Sequence, residues 1–130
     1  MSTESAARWS KNNPEKAAAN ARAWRRRNPK YMMHHHAKRR AQQKGIEFDI
    51  VIDDIPDIPD VCPIAGIPLS FRDDGGRGPC DNSPSLDRIR GELGYIPGNI
   101  RVISHRGNRW KGEMTRDEAQ RVLDYIDGKI

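Results

Sequence analysis

The chain lacks several features that define large classes of proteins. Its two cysteines, Cys62 and Cys80, are too few for a disulfide framework, and we expect free thiols in a reducing compartment. No apolar run approaches the roughly 20 residues that a membrane-spanning helix needs. The first residues, MSTESAARW, lack the apolar block of a secretory signal. These absences predict a cytoplasmic protein with no membrane partner.

Hydrophobic residues are also scarce. They make up 35% of the 130 residues, and the mean hydropathy is -0.88, so the chain can bury only a small core. We therefore expect one domain that carries an appendage, because the length and the apolar content do not support two independent cores.

Charged residues, in contrast, are abundant and unevenly distributed. Residues 1–45 contain 12 Lys and Arg against 2 Asp and Glu, whereas residues 46–130 contain 11 against 16. A basic arm joined to an acidic body predicts a polyanionic partner, and nucleic acid fits best because phosphate neutralisation gives strong affinity. The alternative is a solvated helix surface without a partner. We divide the chain into an arm, residues 1–45, and a body, residues 46–130.

The arm contains a near-repeat in which a tryptophan precedes an Asn-Pro pair. The segment WSKNNP at Trp9–Pro14 is echoed by WRRRNP at Trp24–Pro29, fifteen residues later. Each Asn-Pro pair is typical of an N-cap followed by proline at the first helical position. The pattern predicts one helix over Pro14–Arg27 and another over Pro29–Lys44, with Gly45 as the stop.

The first of these helices is rich in alanine, which favours helix but offers little to bury. It therefore needs DNA, the body or a second copy of the chain to pack against, and a homodimer is compatible with the sequence. We expect the basic side chains of the arm to contact phosphates. They are Arg22, Arg25, Arg26, Arg27, Lys30, Lys38, Arg39 and Arg40. Residues 34–36 are three histidines, but consecutive helical side chains point about 100° apart and cannot all face one ion.

The body begins with residues 45–52, GIEFDIVI, whose apolar residues predict a strand that enters the core. Further along, the pattern predicts a strand over Ser85–Ile89, a turn region over Gly91–Gly98 and a half-buried strand over Asn99–Ser104. A short helix from His105 to about Gly112 should follow.

The chain ends in a segment with a clear helix start. Thr115 and Glu118 form a capping-box pattern, which predicts a final helix. We expect this helix to be structural, with Val122, Leu123 and Ile126 turned inward.

Residues 84–111, PSLDRIRGELGYIPGNIRVISHRGNRWK, resemble the HNH (His-Me finger) endonucleases, especially the phage-type relatives of recombination endonuclease VII. The resemblance implies an α+β fold: a ββα-metal core with a C-terminal helix, preceded by the basic helical arm. It also implies that Asp87 and Asn108 bind Mg²⁺ or Mn²⁺, and that Asn99 fixes the loop. Taken singly, each of these residues also has an ordinary structural explanation, such as a surface ion pair or a hairpin turn.

One position departs from the family pattern. The family's general base is a histidine directly after the aspartate, and here that residue is Arg88, which stays protonated and cannot serve as an ordinary base. Three alternatives remain open. Arg88 binds the phosphate while Tyr95 or His105 activates water, water is activated without a dedicated side chain, or catalysis is lost and DNA binding is kept.

A second departure concerns zinc. Relatives of endonuclease VII often carry a zinc knuckle whose positions correspond here to Cys62, Ala65, Ser104 and Gly107. A tetrahedral zinc site needs four thiolate or imidazole ligands, which these residues cannot supply. We expect no structural zinc and expect apolar packing around Ile64, Ile67 and Leu69 in its place.

The resemblance predicts a small DNA endonuclease of phage character that acts in the host cytoplasm. We expect its substrate to be double-stranded DNA, and nicking of one strand is one option for its activity. The alternatives are a non-catalytic DNA-binding accessory protein and an RNase. Basic residues of the body are expected to line the substrate groove. They are Arg90, Arg101, Arg106, Arg109 and Lys111.

Overall fold

A computed structural model describes residues 3–72, 76 and 78–129 of the chain. Within these residues the fold is mixed α+β, as predicted, with five α-helices and a two-stranded antiparallel sheet. The helices are α1 (Thr3–Asn12), α2 (Pro14–Arg27), α3 (Pro29–Lys44), α4 (His105–Lys111) and α5 (Arg116–Ile126). The strands are β1 (Pro84–Arg88) and β2 (Ile100–Ser104), and a 3-10 turn spans Ile52–Asp54. No helix in the described ranges is both long and apolar enough to cross a membrane.

The near-repeat in the arm forms two helix-to-helix junctions. Pro14 and Pro29 begin α2 and α3 as predicted, and Gly45 ends α3 in the left-handed conformation with φ 66°. The asparagines differ from the prediction, because neither side chain caps the helix that follows. Instead, the Asn13 amide donates to the Trp9 carbonyl at 2.9 Å, and the Asn28 amide donates to the Trp24 carbonyl at 2.8 Å. Each asparagine thus satisfies a carbonyl at the end of the preceding helix.

Helix α3 packs into the body instead of projecting from it. Met33, Ala37 and Ala41 are buried and recur every four residues, so they form one face of the helix. This face shares a hydrophobic core with residues of the body and packs against β1. The body residues of that core are Ile50, Ile55, Leu86, Tyr95, Ile100 and Val102.

The predicted hairpin and the short helix after it are present, each within one residue of the expected bounds. Strand β1 pairs with β2 so that Leu86 lies opposite Val102 and Asp87 lies opposite Arg101. Leu86 and Val102 are 2% and 3% exposed, which places them in the core. The hairpin and α4 form a ββα unit, which we call the finger.

The strand predicted over residues 45–52 is wrong. Only Phe48 forms an isolated bridge, with Tyr95, and the 3-10 turn follows. The backbone still enters the core, because Tyr95 N–H donates to Glu47 O and Asp49 N–H donates to Tyr95 O. This close approach requires Gly94, since a Cβ there would lie 2.5 Å from Glu47 O.

The final helix also differs from the prediction. The capping box is present, with Thr115 Oγ1 accepting from Glu118 N–H and Glu118 accepting from Thr115 N–H. However, Val122, Leu123 and Ile126 are 46%, 51% and 73% exposed, so the expectation that they turn inward is wrong. Among the described elements, α5 packs against no other helix or strand.

Candidate nucleic-acid interface and metal-binding residues

Asn99 lies inside the β1–β2 loop and is 5% exposed. Its side-chain oxygen accepts from Arg90 N–H at 3.0 Å, and its amide donates to Arg90 O at 3.2 Å and to Gly94 O at 2.9 Å. These three bonds tie the two sides of the loop to the start of β2. The role in fixing the loop that the resemblance implies for Asn99 stays a prediction, and these bonds are the contacts through which it would act.

Asp87, the predicted metal ligand on β1, is paired with a lysine from α4. Lys111 Nζ lies 3.2 Å from Asp87 Oδ2 and 3.4 Å from Oδ1, and it donates to Arg88 O at 2.8 Å. Burial raises the pKa of Asp87 above its ordinary value, and Lys111, Arg88 and Arg40 offset part of that rise. The carboxylate is therefore partly desolvated and surrounded by cations.

Arg88, the predicted phosphate ligand, is drawn into the loop. Its Nη1 donates to Gly91 O at 2.7 Å and to Leu93 O at 3.3 Å. Its guanidinium carbon lies 5.6 Å from the centre of the Tyr95 ring. In this arrangement Arg88 holds the loop over Tyr95.

The two candidate general bases lie in different environments. Tyr95 is 5% exposed, belongs to the hydrophobic core and packs its ring 5.6 Å from that of Phe48. His105 begins α4, where its N–H donates to Ser83 O, and it lines an open groove together with Asn108. The structure thus brings His105 and Asn108 together and places Tyr95 in the core.

The groove has a volume of about 1080 Å³ and lies between α2, α3 and the finger. Five of the basic residues predicted to contact nucleic acid line it. They are Arg22, Arg25, Arg26, Arg39 and Arg40. Arg40 also donates to Leu86 O at 3.2 Å, which joins α3 to β1. Sequence reasoning did not foresee that the arm and the finger form a single concave surface.

The other predicted contact residues do not line this groove. Lys30 pairs with Asp57 at 2.7 Å, Arg109 pairs with Asp81 at 2.6 Å, and Lys111 pairs with Asp87. Arg106 stacks over the Trp110 ring at 4.9 Å. The remaining members are Arg27, Lys38, Arg90 and Arg101, all exposed.

The three histidines of α3 point in different directions, as their spacing requires. His34 bonds to Ile50 O at 2.9 Å through Nε2 and packs against Phe48, whereas His36 lines the groove. Partial burial lowers the pKa of His36, and His35, Arg40 and Arg39 lower it further. Sequence reasoning missed the position of His36 in this groove, for which its spacing four residues before Arg40 was the available signal.

The four positions that correspond to a zinc knuckle meet in space through hydrogen bonds. Cys62 is 1% exposed, and its sulfur accepts from Ala65 N–H, Ser104 N–H and Ser104 Oγ–H at 3.1–3.3 Å. Ser104 Oγ in turn accepts from Gly107 N–H at 2.9 Å. Burial raises the pKa of Cys62, but these bonds outweigh it and lower the pKa to about 7.

Apolar packing therefore has a smaller part at these positions than predicted. Leu69 packs against the core, but Ile64 is 42% exposed and Ile67 is only partly buried. A Cβ at Gly107 would lie 3.2 Å from Cys62 Sγ, so the two turns pack closely and a larger residue there would require Cys62 to shift by a few tenths of an ångström. Hydrogen bonds to the Cys62 sulfur are the main link between them.

Across the described residues, no group of three or more His, Cys, Asp or Glu side chains is arranged to hold a metal ion. The predicted metal pair, Asp87 and Asn108, would supply two protein ligands from β1 and α4. Comparison of the chain with protein-family models, curated proteins and solved structures finds no match.

Proposed function

We propose that the protein is a metal-dependent DNA endonuclease of the HNH kind, which hydrolyses phosphodiester bonds. The observation that carries this proposal is the position of α4 between the groove and Asp87. Asn108 lines the groove, and Lys111, one helical turn further on the same face, contacts Asp87. A phosphate backbone bound along the arginines would therefore reach α4 within about one turn of the Asp87 carboxylate.

The donor atoms suit a hard divalent cation. The Asp87 carboxylate and the Asn108 amide oxygen would hold Mg²⁺ or Mn²⁺, both of which prefer oxygen ligands. When bound, the ion supplies positive charge that stabilises the charge developing on the phosphate and on the departing oxygen. Because Lys111 already neutralises Asp87, the ion and the lysine ammonium group compete for the carboxylate.

His105 is better placed than Tyr95 to act as the base, because it lines the groove together with Asn108, whereas Tyr95 is buried in the core. In the proposed step its imidazole takes a proton from a water molecule while the water oxygen forms a bond to phosphorus. The bond from phosphorus to the departing 3′ oxygen breaks, and solvent returns a proton to that oxygen. The groove arginines hold the flanking phosphates.

The test is nicking of supercoiled plasmid by the purified protein with Mg²⁺, with Mn²⁺ and with EDTA. We expect metal-dependent nicking that is lost in Asp87→Ala and reduced at least tenfold in His105→Gln. Asp57→Ala is the matched control, because it removes a carboxylate that only pairs with Lys30 on the surface. Nicking that persists in Asp87→Ala, or in EDTA, would contradict the proposed metal site.

A second candidate function, a non-catalytic DNA-binding protein, is favoured by the pairing of Asp87 with Lys111. The contacts of Arg88 within its own loop favour it as well. It predicts plasmid that is retarded but intact under every metal condition. Cleavage of RNA but not DNA in the same assay would instead support an RNase.

A further inference from the structure

The groove is too small to enclose a duplex. Its volume of about 1080 Å³ is close to the upper end of the roughly 300–1,000 Å³ typical of small-ligand sites. In B-DNA the major groove alone is about 12 Å wide and 8.5 Å deep, so the double helix is far larger than this cavity. A single polynucleotide strand is the form of nucleic acid that matches the groove in size.

The charges in the groove favour a phosphate backbone that follows its walls. Arg22, Arg25 and Arg26 are spaced three and four residues apart and lie on one face of α2, and Arg39 lies across from them on α3. None of these four forms an ion pair with a described residue. Their charges therefore remain available to phosphates.

The apolar surface of the groove favours exposed bases. Met32 and Leu86 contribute to its lining, together with Ala18 and Ala21. Phe71 also lines it and is 40% exposed, so the hydrophobic core does not account for this aromatic side chain. Grooves for single-stranded nucleic acid combine basic side chains with aromatic rings on which bases stack, whereas a duplex keeps its bases stacked inside.

We propose that this groove binds a single-stranded segment of nucleic acid, with phosphates on the arginines of α2 and α3 and a base on Phe71. The inference deepens the proposed function and rests on it for the role of the bound strand, which would lead past His105 and Asn108 towards Asp87. The chemistry of a phosphate backbone with unpaired bases is shared by single-stranded DNA and RNA, so both are tested.

The test is fluorescence anisotropy of labelled oligonucleotides with the full chain in EDTA, where no metal-dependent cleavage occurs. The probes are a mixed-sequence DNA strand, the RNA strand of the same sequence, and the corresponding DNA duplex. We expect at least one of the single strands to bind tenfold or more tightly than the duplex. The strand that binds more tightly then shows whether the groove prefers DNA or RNA.

Two sets of variants separate the groove from general charge. Phe71→Leu keeps an apolar side chain but removes the ring, and should weaken single-strand binding by about 5- to 150-fold while leaving duplex binding unchanged. The triple variant Arg22→Gln, Arg25→Gln, Arg26→Gln should weaken single-strand binding more than a control variant that loses the same number of positive charges. That control is Arg8→Gln, Lys11→Gln, Lys16→Gln, whose positions do not line the groove.

Duplex binding as tight as single-strand binding would overturn the inference, as would equal losses in the two triple variants. An unchanged affinity in Phe71→Leu would overturn the assignment of the stacked base. These outcomes are distinguishable from failure of the nuclease proposal. Single-strand binding without plasmid nicking would support the proposed binding site and contradict the nuclease proposal. Plasmid nicking without a preference for single strands would support the nuclease proposal and contradict the proposed binding site.

Discussion

The ion pair between Lys111 and Asp87 allows a quantitative test of the electrostatics of the finger. The side chains of Lys111 and Asp87 are 27% and 10% exposed, so solvent screens the attraction between their charges only in part. Lys111→Met removes the charge and keeps most of the apolar stem. Breaking a fully buried pair costs about 3–5 kcal/mol, whereas an exposed pair is worth about 0–1 kcal/mol. For this mostly buried pair we expect a loss of about 2 kcal/mol in the free energy of unfolding at neutral pH.

The assay is a double-mutant cycle by urea denaturation, with wild type, Lys111→Met, Asp87→Asn and the double variant. With Asn at position 87 no buried carboxylate is left unpaired, so Lys111→Met should then cost about 1 kcal/mol or less, mainly through its bond to Arg88 O. An equal cost on both backgrounds would refute the reasoning, because the lysine would then act through its stem or through Arg88 alone.

The cost of Lys111→Met should also depend on pH. Burial raises the pKa of Asp87 and Lys111 opposes that rise, so the variant's carboxyl should have a higher pKa than the wild type's. A carboxyl whose pKa is raised in the native state destabilises that state above this pKa, and the penalty fades as the pH falls. The difference in unfolding free energy between variant and wild type should therefore narrow as the pH falls from neutral towards about 3.9, the ordinary pKa of an aspartate. A constant difference would show that Asp87 is not the responsible group.

Three further predictions test the local geometry. Asn99→Ala removes three hydrogen bonds from a buried loop and should lower the free energy of unfolding by about 2–4 kcal/mol in urea denaturation. Gly94→Ala should lower the free energy of unfolding by about 1–3 kcal/mol, because its Cβ would meet Glu47 O. The control Gly91→Ala, which has open space around it, should change stability little. Equal melting temperatures of the two variants would contradict this prediction. In the native protein Cys80 should react with a thiol reagent faster than Cys62, because Cys62 is only 1% exposed. Burial should outweigh the lowering of the Cys62 pKa to about 7, which by itself favours reaction. Equal rates would show that Cys62 is accessible.

The elements that local chemistry specifies were predictable from the sequence. Proline at the first helical position and glycine in the left-handed conformation act within one or two residues, so the bounds of α2 and α3 follow from Pro14, Pro29 and Gly45. The hairpin and the capping box at Thr115 are local in the same sense. The predicted strand over residues 45–52 failed because alternation of apolar residues describes burial, and only a neighbouring strand can supply the ladder of hydrogen bonds.

The candidate site likewise has a part that the sequence predicts and a part that it does not. Its residues could be named from their order along the chain, but their partners could not. Nothing in the sequence indicates that Lys111 bonds to Asp87 or that Arg88 bonds to carbonyls of its own loop. For the position of His36 in the groove, the only signal was its spacing from Arg40. Each of these contacts joins groups that different elements bring together, or depends on how a loop closes.

The sequence by itself determined the charge asymmetry, the helix ends of the arm and the ββα order of the finger, because these depend on composition and on neighbours along the chain. Only the tertiary structure decided that the buried face of α3 docks on β1 and that α5 packs on no described element. The same docking turns the arginines of α2 and α3 towards the finger. The physical reason is that burial and charge pairing depend on distances between residues far apart in the chain, which local preferences do not set.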